Sequence, residues 1–390
     1  MSPKHIGELI MATALNREAT DWMADVSEFA RQHLPPEKKL HQLKSFPMGI
    51  WKNMGEAGLL GLSTSKAYGG LEKKALDISL TTLALSRESG NLGMCLSFLI
   101  HHLVSRYIIE NLGTDIQKNA YLPDLASGKI TGCLAVSEPK TFAHPKHIKT
   151  EAVRTGGGFV LTGEKTYLTN GPIADFFVVI AVTESQSDRK RFSAFIVPKD
   201  AKGLTVSTLT IPFFKPATHG GIKLDRCEVP DDAVIGREGS AYEDIVLRFR
   251  ELEDALMMGP VTGALERLSL LITEALRKRI PIPNSHLSLD LGKLKIMLDI
   301  ARIITYESAL MIDSGKGHRE KSSLHLYFRD LVKDILVQID MIIRNTGVEP
   351  APLFKIILDD LTASSRIGGQ VAELKQMKIG SLFFNPQEGA

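Results

Sequence analysis

Cys133-Leu-Ala-Val-Ser137-Glu138-Pro139, followed by Gly163-Glu-Lys-Thr-Tyr167-Leu168-Thr169-Asn170-Gly171, lies where the hydrophobic rhythm of the chain changes. Around these two blocks the apolar residues come in short β-branched or aromatic runs: Phe159-Val-Leu-Thr, Phe176-Phe-Val-Val-Ile-Ala-Val, Phe192-Ser-Ala-Phe-Ile-Val and Gly221-Ile-Lys-Leu. Gly156-Gly-Gly158, Asn170-Gly171-Pro172 and Pro212 punctuate them. Strands at short intervals with no helix between them predict an antiparallel sheet or barrel.

Outward on both sides the period becomes helical. In 19–33, Trp22, Met23, Val26, Phe29 and Ala30 share one helix face. Further helices are expected over 51–59, 78–87, 95–112 and 115–126, with Gly113 ending one and Thr114 capping the next. After the strands, 242–258, 262–279, 289–314, 324–345 and 353–365 read as long amphipathic helices with short links, a helix bundle. The expected architecture is α+β: an N-terminal helical domain (1–130), a middle antiparallel β domain (131–245) and a C-terminal helix-bundle domain (246–390).

Composition narrows the class. The 390 residues are 44% hydrophobic, enough for more than one compact core. A formal net charge of +2 creates no global field for nucleic acid. Cys95, Cys133 and Cys227 form no CxxC pair, which argues against a zinc site or a disulfide framework. The N-terminus lacks the pattern of a signal peptide, and no unbroken apolar run of membrane-spanning length occurs. A cytoplasmic protein with no membrane span is the expectation.

The order of these segments and the two quoted blocks resemble the acyl-CoA dehydrogenases, flavoproteins that remove two hydrogens from Cα and Cβ of an acyl thioester. The resemblance implies FAD as cofactor. It puts Thr169 near flavin N5, Tyr167 against the ring with Leu168 beside it, and Val136 and Ser137 at the pyrimidine edge. The plainer reading of Asn170-Gly171 is a β-hairpin turn. Where the family has Gly-Ala-Gly-Ser-Asp after its Thr-Glu-Pro, this chain has Lys140-Thr141-Phe142-Ala143-His144. Lys140 and Phe142 therefore become candidates for contact with substrate, and the cavity must differ; a solvated lysine is the alternative for Lys140. His144 and His147 have no third ligand and read as surface histidines, so no metal is expected.

The base is the critical residue. Most of the family carries a glutamate near the C-terminus, and Phe384 stands at that position; Glu388 sits in the tail. A minority places the base at the opening of the first bundle helix. Pairing Gly263 with the family's helix glycine puts Glu253 there, with Asp254 in place of an arginine that usually anchors substrate. An acidic helix start unrelated to catalysis is the other reading of Glu253. Arg277 matches the family's arginine for the FAD pyrophosphate of a neighbouring subunit, or is a solvated helix-end charge. Gly368-Gly369 matches a glycine pair on the adenine side. The resemblance implies electron transfer to an electron-transfer flavoprotein or similar acceptor, and a homotetramer or a heteromer with a paralogue. A second reading is a catalytically degenerate paralogue, the partner subunit of a heteromeric dehydrogenase.

Overall fold

A computed structural model describes residues 17–34, 38–43, 45–140, 144–186, 189–315 and 318–385. Phe142 and Glu388 lie outside the described residues. The N-terminal helices are α1 (Arg17–His33), α2 (Met48–Glu56), α3 (Ala75–Ser89), α4 (Leu92–His102) and α5 (Asp115–Ala126). From Leu103 to Glu110 the chain continues as a wider, π-type helix. Thr114 starts α5 as the sequence predicts: its hydroxyl accepts from Gln117 N at 3.2 Å, and Gln117 Oε1 accepts from Thr114 N at 3.0 Å. The amide of Gln117 also donates to the Asp232 and Val234 carbonyls, so one side chain caps the helix and ties it to the β domain.

The strands are β1 (Gly132–Ala135), β2 (Glu151–Thr155), β3 (Gly158–Thr169), β4 (Phe176–Gln186), β5 (Arg189–Pro198), β6 (Leu204–Leu209), β7 (His219–Pro230) and β8 (Val234–Ile235). Their order is β6-β7-β3-β2-β4-β5-β8, with β1 also paired to β4. The sheet is mixed rather than wholly antiparallel: β1 and, at one position, β2 run parallel to β4. A parallel pair needs a long crossover, and the excursion through β2 and β3 supplies it between β1 and β4. The strand alternation on β4 serves two cores. Phe176, Val178 and Ile180 join the core shared with the helices, while Phe177, Val179 and Ala181 fill the core of the sheet itself.

The hairpin reading of Asn170-Gly171 is corrected, because β3 and β4 are not neighbours. Asn170 takes a left-handed conformation (φ 65°), ends β3, and donates from Nδ2 to the Ser97 carbonyl at 2.9 Å. The dipeptide thus pins the end of β3 to α4.

The bundle comprises α6 (Arg248–Leu256), α7 (Met258–Arg279), α8 (Ser285–Asp313), α9 (His318–Thr346), α10 (Pro352–Arg366) and α11 (Gly369–Phe384). α3 and α7 approach closely because Gly259 and Gly263 face α3. A Cβ at Gly263 would stand 2.3 Å from the Leu83 carbonyl oxygen, and one at Gly259 2.5 Å from Thr82 Oγ1. Two helical stretches, Leu92–Glu110 and Tyr242–Arg279, are long and apolar enough to cross a membrane by length and composition, but 89% and 78% of their apolar windows are buried within the protein. They read as core helices.

Candidate active site

Two adjoining cavities lie between the sheet and the bundle. The smaller, about 160 Å³, is lined by Val136, Ser137, Tyr167, Leu168, Thr169 and Glu253, together with Ile100, Leu134, Val246, Phe249 and Arg250. The larger, about 500 Å³, shares Ser137, Tyr167, Thr169 and Glu253 and extends between α6, α7, α9 and α10. The 133–139 and 163–171 blocks therefore meet, and Glu253 meets them.

Local structure explains the meeting. The ladder between β3 and β7 slips between Lys165 and Leu168, so three residues of β3 advance against two of β7. Tyr167 sits in this bulge with φ 57°. The bulge breaks the alternation that would put residues 165, 167 and 169 on one face: Lys165 and Leu168 are buried, while Tyr167 is 51% exposed. The Cys133 thiol donates to the Thr169 carbonyl at 3.2 Å, fixing the end of β3 beside β1.

The chain after β1 is held by a buried ion pair. Lys165 Nζ donates to Glu138 Oε1 at 3.0 Å and to the Val136 carbonyl at 3.1 Å. Glu138 also accepts from Lys149 N, Thr150 N and Thr150 Oγ1. Burial pushes the Lys165 ammonium down to about 8, against the pull of Glu138. Burial works to raise the Glu138 carboxyl, but Lys165 and the bonds from Thr150 and Lys149 outweigh it and hold the group below its usual range. Thr166 N bonds the Ser137 carbonyl at 2.8 Å. Val136 and Ser137 are thereby locked against β3. Glu138-Pro139 was the legible half of this pair; nothing in the sequence pointed to Lys165.

Glu253 lies on α6, partly open only because it lines both cavities. Burial, reinforced by Asp254 and opposed by Arg250, raises its carboxyl to about 7. The neighbouring Asp254 is bonded by Lys375 Nζ of α11 at 3.1 Å, and its main-chain carbonyl accepts from His325 Nδ1 at 3.1 Å. Among the described residues, the side-chain hydroxyls of Ser137 and Thr169 make no hydrogen bond to protein. The cavity thus presents two free hydroxyls on its sheet wall and a carboxyl poised near neutrality on its helix wall. Free hydroxyls facing a slot suit the heteroatom edge of a flat ring.

Other residues singled out from sequence stand apart. Lys140 is exposed, with φ 68°, and lines neither cavity; the same holds for exposed Arg277 and for Gly368 and Gly369 at the start of α11. Phe384 is 86% exposed at the end of α11. His144 and His147 stack on an exposed turn, ring centroids 4.9 Å apart. The sequence reading missed His219, His325 and Arg329, which line the larger cavity. Their contacts cross long stretches of chain and leave no local signal.

Two family models match this chain: the acyl-CoA dehydrogenase N-terminal domain over residues 16–129 and the middle domain over 133–225. An isovaleryl-CoA dehydrogenase of Arabidopsis thaliana is 30% identical over 301 residues, 75% of this chain and 73% of that protein. The chain belongs to the acyl-CoA dehydrogenase family. An L-prolyl-[peptidyl-carrier protein] dehydrogenase of Pseudomonas fluorescens is 30% identical over 272 residues, 68% of this chain and 71% of that one. The fold of this family member matches a glutaryl-CoA dehydrogenase of Mycobacterium smegmatis in complex with FADH2, with a TM-score of 0.82 at 21% identity, covering 95% and 96% of the two chains.

Proposed function

We propose that this chain is a FAD-dependent dehydrogenase of an acyl thioester, with Glu253 as the base that takes the Cα proton. The observation that carries the reading is Glu253 itself: its carboxyl, lifted to about 7 by burial, shares a cavity wall with Ser137, Tyr167 and Thr169. A base near neutrality is matched to a weakly acidic proton at physiological pH.

The residues present fit a flavin. Thr169 and Ser137 offer unpaired hydroxyls to the ring edge, Tyr167 its aromatic side, and Val136 and Leu168 the apolar wall. When bound there, FAD supplies the acceptor for the hydride from Cβ. Lys165 and Glu138 hold the Val136–Ser137 segment in register, and the bulge at Tyr167 aims Thr169. Arg277, Gly368 and Gly369, away from both cavities, are proposed to serve the adenine half of a neighbouring subunit's FAD. Lys140 and Phe142 are proposed to meet the thioester arm. Electrons pass to an external carrier such as an electron-transferring flavoprotein. The likeness to dehydrogenases of CoA thioesters and of a carrier-protein thioester supports the thioester class and leaves both carriers as candidates.

The test is anaerobic flavin reduction by acyl thioesters in the FAD-loaded protein. Glu253→Gln is expected to slow bleaching by roughly 10²- to 10⁴-fold with FAD content unchanged. An unaltered rate removes Glu253 as base. A parent protein that binds FAD and is bleached by no thioester returns the chain to the non-catalytic subunit reading.

A further inference from the structure

The wall of the larger cavity next to Glu253 carries an arrangement that acyl-chain recognition does not use. His325 Nδ1 lies 3.1 Å from the main-chain carbonyl of Asp254. A carbonyl only accepts, so Nδ1 carries the proton. Burial pushes this imidazole toward its neutral form, against the opposing pull of Asp254. Its Nε2 is then an acceptor, and it stands 3.8 Å from Asp254 Oδ1. Two acceptors confront each other, and among the described residues no donor reaches Oδ1.

The cations nearby are committed elsewhere. Lys375 Nζ bonds the other oxygen, Oδ2, at 3.1 Å. Arg329 donates its two Nη groups to the Ile367 and Ser365 carbonyls at 3.0 and 2.6 Å, closing the end of α10. His219, buried and pushed down to about 4 by that burial, lines the same cavity with Nδ1 unpartnered. The cavity therefore offers acceptors and withholds free cations. A ligand that completes it brings N–H donors.

We propose that Asp254 Oδ1 and His325 Nε2 form a receptor for an amino group carried by the acyl part of the substrate, close to the thioester. The inference rests on the thioester reading and names its substrate class: amino-acyl thioesters. A nitrogen about 2.9 Å from both acceptors spans the gap with an angle of about 80°, within reach of two N–H bonds of one ammonium. A hydroxyl has one proton for two acceptors. Consecutive positions 253 and 254 put the amine's anchor beside the carboxyl that must reach Cα. Lys375 competes for the same carboxylate from its other oxygen, Oδ2. It comes from α11, which buries no side chain, and the ion pair is about a third exposed on each side (34% and 30%). Such a pair is solvent-screened and readily displaced.

The experiment reads binding without turnover, so it stands apart from the test of the base. The FAD-loaded Glu253→Gln protein is titrated with N-acetylcysteamine thioesters of 2-aminobutyrate, butyrate and 2-hydroxybutyrate, following the flavin spectrum and calorimetry. The amino compound is expected to bind at least 10-fold more tightly than butyryl. Adding Asp254→Asn should bring that ratio near one. Adding Lys375→Met should raise it, because the competing ammonium is gone, whereas a merely structural Lys375 would loosen all three ligands alike. Butyryl binding as tightly as the amine, or a ratio unmoved by Asp254→Asn, overturns the proposal. Equal affinity for the hydroxy compound overturns the amine assignment in favour of a neutral donor.

Discussion

At the scale of the residue, the role proposed for Glu253 sets function against stability. Its carboxyl titrates near 7 in the folded chain, against 4.5 for an unperturbed glutamate. Below about 4.5 it is protonated in both states and costs nothing extra. Between the two values the unfolded chain releases the proton and the folded chain keeps it, so folding stability falls as pH rises, with the full deficit above about 7. Glu253→Gln should therefore stabilise the protein by about 1–2 kcal/mol at pH 8, less than the whole shift implies because the side chain meets the open cavity, and by nothing near pH 4. Thermal melts of parent and variant at both pH values check this; an equal gain at both would show that the carboxylate is not strained. The catalysis proposed for Glu253 runs the other way, since only the ionised form of a base accepts a proton. In the parent protein, kcat/KM should rise with pH and level off above about 7.

At the scale of the element, the site depends on how closely helices and strands approach. α6 runs into α7, and α7 is seated on α3 through Gly259 and Gly263, so this crossing fixes where Glu253 stands. Gly263→Ala drives a Cβ to 2.3 Å from the Leu83 carbonyl and 3.0 Å from Arg87 N, both backbone atoms that a rotamer change cannot move. The variant should lose at least about 2 kcal/mol in chemical denaturation and reduce its flavin more slowly, because the helices must part. A loss within about 0.5 kcal/mol would mean the crossing has slack. The glycine was legible in sequence as the marker that placed Glu253. The bulge at Tyr167 was not, because an alternating pattern carries no sign of a register slip. Neither was the tie between Asp254 and Lys375, which joins two helices 121 residues apart in sequence, nor α11, whose apolar residues follow no single face.

At the scale of the whole molecule, the switch of hydrophobic period from helix to strand and back gave the α–β–α order, because burial on one face imposes its own spacing on each kind of element. The same spacing rule marks a surface that the single chain leaves uncovered. One face of α8 buries Leu287, Leu294, Leu298, Ala301 and Ile312. The other exposes Leu289, Ile296, Ile300, Ile303 and Leu310, each 37–61% accessible and spaced in sevens, fours and threes. α11 adds Val371, Leu374 and Met377. A helix apolar on both faces is stable in water only if something covers the second, and the heptad spacing suits another helix. We propose that another copy of the chain covers it, and that Arg277, Gly368 and Gly369, which line neither cavity of their own chain, serve the cofactor of that neighbour. The parent protein should therefore sediment as an oligomer at micromolar concentration. Ile296→Glu with Ile300→Glu, both exposed in the single chain, should yield a smaller, folded species that releases FAD more readily than the parent. A monomeric parent, or a dissociated variant that keeps FAD as tightly, would show that no partner subunit completes the cofactor site.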